Sequence, residues 1–87
     1  MSRRVWKYTL AFKERQTLTM PVGATVLSAQ LQGEHICVWV DVCDEFDAQQ
    51  SMRFIIVGTG DEIPPDVERY VGTVQILKNV LHIYLGL

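Results

Sequence analysis

Apolar and polar residues alternate with a period of two along most of the chain, the mark of half-buried β-strands. In residues 4–12, Trp6, Tyr8, Leu10 and Phe12 share one face, while Val5, Lys7, Thr9 and Ala11 share the other. That spacing predicts a strand whose core-facing side is heavily aromatic. After the charged turn Lys13-Glu14-Arg15 the alternation resumes over 16–20, with Leu18 and Met20 inward and Thr17 and Thr19 outward. Pro21 lacks a donor and should end the ladder, and Gly23 eases the corner.

Residues 24–43 predict two strands joined at Gly33-Glu34, because glycine first in a two-residue turn suits the type II′ geometry that matches sheet twist. The expected pairs are Gln32 with His35, Leu31 with Ile36, Ala29 with Val38, Leu27 with Val40 and Thr25 with Val42. Gln30, Ser28, Cys37 and Trp39 then face the other way. Residues 44–51 form a polar connection around Phe46, a candidate plug for one end of the core. Residues 52–57 are a strand in which Phe54-Ile55-Ile56-Val57 is wholly apolar, as expected of a strand covered on both sides, by a second sheet and by something else such as another subunit. Gly58-Thr59-Gly60 ends that strand. The acidic stretch 61–69, with Pro64 and Pro65, cannot be a helix interior. Residues 70–77 and 80–85 predict a last hairpin turning at Lys78-Asn79, with Ile76 opposite Leu81, Val74 opposite Ile83 and Gly72 opposite Leu85; lysine is atypical at the first turn position, and a longer loop of the same parity is the alternative. Thr73, Gln75, His82 and Tyr84 take the opposite face.

The expected fold is all-β: about seven antiparallel strands over a single domain, residues 1–87, in a small two-layer sandwich or a partly open barrel. Composition fits a globular chain, with 48% hydrophobic and 21% charged residues. No apolar run reaches the roughly 18–20 residues of a membrane helix. The first ten residues are basic and alternating, unlike a signal peptide. Cys37 and Cys43 lie six residues apart on one strand, too far for an intrachain bridge, so both should be free thiols.

The net charge of −2 hides an asymmetry. Residues 1–15 hold Arg3, Arg4, Lys7, Lys13 and Arg15 against Glu14, whereas residues 34–68 hold nine acids against Arg53. Two patches of opposite sign would steer partners or favour self-association.

Candidate chemistry is sparse. Gly58-Thr59-Gly60 has the glycines of a phosphate loop but no following lysine, and Asp61-Glu62 beside it would repel phosphate. His35, Cys37, Asp41 and Cys43 share a strand face, yet successive members are more than about 6 Å apart, too far to converge on one ion. Asp41, Asp44, Glu45 and Asp47 lack the glycine and terminal glutamate of an EF-hand. Ser2, Ser28 and Ser51 have no nucleophile-elbow context. The basic and aromatic residues at the start could stack single-stranded nucleic acid, but Trp6 and Tyr8 share the core face and acids outnumber bases overall. No cofactor and no catalytic residue is expected, nor any nucleic-acid or membrane partner.

Trp6-Lys7-Tyr8, Gly58-Thr59-Gly60 and Tyr70-Val71-Gly72-Thr73-Val74-Gln75 together resemble a family of small proteins of unknown function encoded by tailed phages and prophages. The resemblance runs from Val5 to about Tyr84. It implies action in the cytoplasm of an infected bacterium or in the virion, and it brings no catalytic residue. The expected function is that of a non-enzymatic accessory protein that binds, and thereby inhibits, a host factor. The alternatives are a minor virion or assembly component and an oligomeric sponge for a small anionic signalling molecule. Trp39, Thr73, Gln75 and Tyr84, lying opposite the assigned core faces, together with Arg3 and Lys7 of the basic end, are the candidate interface for self-association or a protein partner. If the faces are reversed, Trp39 is core instead.

Overall fold

The computed structural model describes residues 2–43 and 48–87. Among these, seven strands run in chain order: β1 (Arg3–Leu10), β2 (Arg15–Pro21), β3 (Thr25–Gln32), β4 (His35–Cys43), β5 (Gln49–Gly58), β6 (Val67–Ile76) and β7 (Asn79–Gly86). They form two antiparallel sheets, β1-β4-β3 and β2-β5-β7-β6, with no closed barrel. Phe46 and the neighbouring acids Asp44, Glu45 and Asp47 lie outside the described residues.

The period-two pattern places the core. β4 sends Ile36, Val38, Val40 and Val42 inward, all fully buried, and Leu10 of β1 with Val26 and Ala29 of β3 joins them. Met20, Phe54, Val74, Ile83 and Leu85 face them from the other sheet. Full burial of each large member stabilises by about 1.5–3 kcal/mol, which makes this double row the main source of stability.

The β3–β4 hairpin turns at Gly33-Glu34, with Gln32 opposite His35, Leu31 opposite Ile36, Ala29 opposite Val38, and Gly33 at φ 62°. Further down, the expected pairs of Leu27 with Val40 and Thr25 with Val42 are not formed. Val26 faces Val40 and Thr25 faces Asp41, because the register shifts between Val26 and Ser28. Leu27 is the inserted residue of a β-bulge and is exposed, so one extra residue hands its core position to Val26.

The β6–β7 hairpin also departs from expectation. Ile76 pairs with Asn79, Val74 with Leu81 and Gly72 with Ile83. The turn is therefore Leu77-Lys78, one residue earlier than Lys78-Asn79, and Asn79 opens β7. Moving the turn by one residue shifts the partner by two, so the side chains from Gly72 to Leu85 keep their faces; a second register shift, between Tyr70 and Gly72, turns Tyr70 to the outer face beside Tyr84. Leu77 takes the positive φ, 54°, that glycine takes in the first hairpin.

Two edges of the sandwich differ. β3 and β6 approach so closely that a Cβ on Gly72 would lie 2.7 Å from the Ala29 carbonyl oxygen. Beside this contact Arg69 Nη2 donates to the Val26 carbonyl at 2.5 Å. At the far edge, β1 ends one sheet and β2 ends the other. Trp6 points to the core side there, but the opposing sheet does not cover it. It stays 37% exposed, and Phe12, beyond the end of β1, is 61% exposed. The aromatic core face expected along 6–12 thus narrows to Leu10, fully buried, and Tyr8, half-buried against the core; burial pushes the Tyr8 hydroxyl pKa up.

β5 and β6 run parallel with β7 between them. Residues 59–66 must therefore travel back along the sheet to begin β6, and they do so over its outer face. Ile55 and Val57 point to that face and are nonetheless buried, at 0% and 6% exposure. Both faces of Phe54-Ile55-Ile56-Val57 are therefore shielded, as its composition requires, with Gly86 of β7 against the Ile55 side chain. Arg15, opposite Ile55 in the ladder, reaches Asp66 through its Nη2 at 3.0 Å and its Nε at 3.2 Å and ties that connection down.

Candidate functional site

Gly58-Thr59-Gly60 is a turn fastened to the neighbouring strand. Gly60 has φ 92°, and the Asp61 amide donates to the Gly58 carbonyl at 3.0 Å. The Thr59 amide and hydroxyl both donate to the Val80 carbonyl, at 3.1 and 3.3 Å. The Asp61 carboxylate occupies the space beside the Gly58 Cα, where a Cβ would be 2.8 Å from Oδ2. Donors that could cradle a phosphate are thus spent inside the turn, with an anion set over it.

The turn holds one end of a polar chain across the outer face of the four-stranded sheet. Thr59 Oγ1 lies 2.8 Å from His82 Nε2, His82 Nδ1 lies 3.0 Å from Thr73 Oγ1, and Thr73 Oγ1 contacts the Tyr70 hydroxyl. Tyr70 packs edge-on against Tyr84 with ring centres 5.6 Å apart. Thr59 has one hydroxyl proton, and the Val80 carbonyl can only accept it. For a neutral imidazole, every contact is then made by one proton arrangement: Tyr70 donates to Thr73, Thr73 to His82 Nδ1, and His82 Nε2–H to Thr59. In that arrangement His82 faces Thr59 as a donor, and the chain of bonds orients the four side chains.

Beside this network, at the end of the molecule, three connections surround a depression of about 1530 Å³: residues 12–15, 58–65 and 76–81. Each raises one large apolar side chain at its rim: Phe12, 61% exposed; Ile63, 55%; and Leu77, 91%. Lys13, Arg15 and Lys78 line the same depression with Glu14, Asp61 and Glu62. Exposed apolar residues set among charges of both signs are the composition of a protein-binding patch. None of the three stands out in the sequence as a surface residue: Phe12 continues the alternation of 4–12, Ile63 precedes two prolines and Leu77 follows Ile76. Only the fold brings them to one end.

The candidate interface residues divide between opposite sides of the sandwich. Thr73, Gln75 and Tyr84 lie on the outer face of the four-stranded sheet, whereas Arg3, Lys7 and Trp39 lie on the outer face of the three-stranded one. On that second face Arg3 forks onto Asp41, donating from Nε to Oδ1 at 3.0 Å and from Nη2 to Oδ2. This pairing holds the Asp41 carboxyl below the usual carboxylate range. Lys7 crosses β4 to donate to Gln32 Oε1. Cys37 lies on the same face yet is 1% exposed, with Sγ 3.9 Å from Thr9 Oγ1, and both cysteines are free. His35 is exposed. Among the described residues no three His, Cys, Asp or Glu side chains converge as metal ligands, and no helix is long and apolar enough to cross a membrane.

A two-sheet fold with a depression rimmed by apolar turns defines the chain by architecture only. Its family follows from sequence: residues 1–86 match the model of a domain of unknown function, DUF7352, and the chain belongs to that family. No curated protein and no solved structure matches it.

Proposed function

We propose that the domain is a non-enzymatic binding protein that captures a protein partner at the end formed by residues 12–15, 58–65 and 76–81. The observation that carries this reading is the convergence of Phe12, Ile63 and Leu77, from three separate turns, at the rim of one depression. Exposed aromatic and aliphatic anchors ringed by charge are what a partner desolvates on binding. The resemblance of Trp6-Lys7-Tyr8, Gly58-Thr59-Gly60 and 70–75 to small tailed-phage and prophage proteins supports a setting for it. In that setting the domain is an accessory protein in the cytoplasm of an infected bacterium, its partner is a host factor, and the protein self-associates.

The test is affinity capture from host lysate with the wild-type protein beside the double variant Phe12→Ser/Leu77→Ser. Both side chains are exposed, so the variant should fold and keep its circular dichroism spectrum. Partners held by this end should disappear from its eluate. An eluate identical for the two proteins, or empty for both, would overturn the reading.

A further inference from the structure

We propose that β1 is a self-pairing edge, and that two copies join antiparallel along it to make one continuous six-stranded sheet. This names the surface for the self-association included above and does not involve the apolar-rimmed end. β1 closes one side of the three-stranded sheet, and among the described residues no strand pairs with its other side. The opposite edge of that sheet, β3, is already shielded by β6 at the Gly72–Ala29 contact. β1 is eight residues long and contains neither proline, glycine nor a bulge, so it lacks the usual backbone devices that blunt an edge. Val5 and Trp6 at its middle are 60% and 37% exposed.

Its charges also select a register. A two-fold axis perpendicular to the sheet keeps outer faces with outer faces, so opposed residues must have the same parity. Centring on Val5 would set Arg3 against Lys7, and centring on Lys7 would set the two lysines against each other. Centring on Trp6 opposes Trp6 to Trp6, Arg4 to Tyr8, Val5 to Lys7 and Arg3 to Thr9, with no like charges directly opposed. Those aromatic and cation–aromatic pairs are favourable cross-strand neighbours. Arg3 is already neutralised by Asp41, and Lys7 reaches away from the edge, across β4, to Gln32. Salt should therefore change the dimer little.

Sedimentation velocity of the full chain across concentration should show a monomer–dimer equilibrium, with dissociation roughly in the 1–100 μM range for an edge of this size. Raising the salt should leave it little changed. Trp6→Arg, which opposes two cations at the axis, should weaken association by about tenfold or more. In a Cys43→Ser background, cysteines introduced singly at positions 5, 6 and 7 report the register, and Trp6→Cys alone should cross-link efficiently under mild oxidation. A monomer at every concentration and salt would overturn the proposal. So would a dimer indifferent to Trp6→Arg, or strongest cross-linking at position 5 or 7. A wild-type protein that captures its partner but stays monomeric would leave the binding function standing while this proposal falls; a self-associating protein whose Phe12/Leu77 variant captures what the wild type captures is the reverse case.

Discussion

The two hairpins, β3–β4 and β6–β7, reach the same turn geometry by different routes. Both close with two residues, and in both the first turn residue has positive φ: Gly33 at 62° and Leu77 at 54°. Glycine takes that conformation freely, whereas leucine is pushed by its Cβ toward the adjoining carbonyl. In the first hairpin the local sequence chooses the turn. In the second, the pairing of Ile76 with Asn79, Val74 with Leu81 and Gly72 with Ile83 chooses it, and Leu77 accepts strain. A turn can thus be set by its own residues or imposed by the ladder that it closes.

Four measurements sharpen this contrast. The largest effect is expected where the hairpins meet. Gly72→Val would drive its side chain into the Ala29 backbone, 2.7 Å from a Cβ on residue 72, and should cost about 3–4 kcal/mol in chemical denaturation. An effect below about 1 kcal/mol would mean that the sheets can separate at this seam. Arg69→Ala, which removes the guanidinium from the Val26 carbonyl, should cost less, about 1–2 kcal/mol. The turn residues give the direct comparison. Gly33→Leu meets no atom within 4 Å, so its expected cost of about 1 kcal/mol is purely conformational. Leu77→Gly should have the opposite sign, a gain of about 0.5 kcal/mol once glycine's added unfolded-state freedom is set against the relieved strain. Equal signs for the two substitutions would refute the claim that the ladder imposes the second turn.

The smallest effect concerns the entry to the second hairpin. The hydrogen bond from Arg15, with burial opposing it, holds the Asp66 carboxyl below its ordinary range. A depressed carboxyl pKa contributes stability above the unfolded value of about 4 and loses it as the pH falls through the folded value. Asp66→Asn should therefore melt slightly below wild type at neutral pH, and the gap should close under acid. A gap constant with pH would assign the loss to packing.

Legibility along the chain followed how local each decision was. Alternation over 35–43 named Ile36, Val38, Val40 and Val42 as the core face of β4, because a strand's two faces are fixed by its own pleat. The same rule failed at Trp6 and Phe12, where the pattern reports which side a residue takes but not whether the opposing sheet extends that far. It failed at Leu27 because a bulge leaves no mark on hydrophobicity. Trp39 and Tyr84 share the property of pointing away from the core, yet the sandwich separates them, since nothing in two strands tells which layer each will join. The rim of Phe12, Ile63 and Leu77 was illegible for the same reason.

The sequence by itself determined the strands, the position of Gly33-Glu34, the turn after β5 and the dry faces of β4, β5 and β7, because backbone stereochemistry and burial act within a few residues. Only the tertiary structure decided the β3–β6 seam, the return of 59–66 across Ile55 and Val57, the Thr59–His82–Thr73–Tyr70 chain and the gathering of three turns at one end. Those depend on which sheet each strand joins, and that choice is made by contacts between residues far apart in the chain.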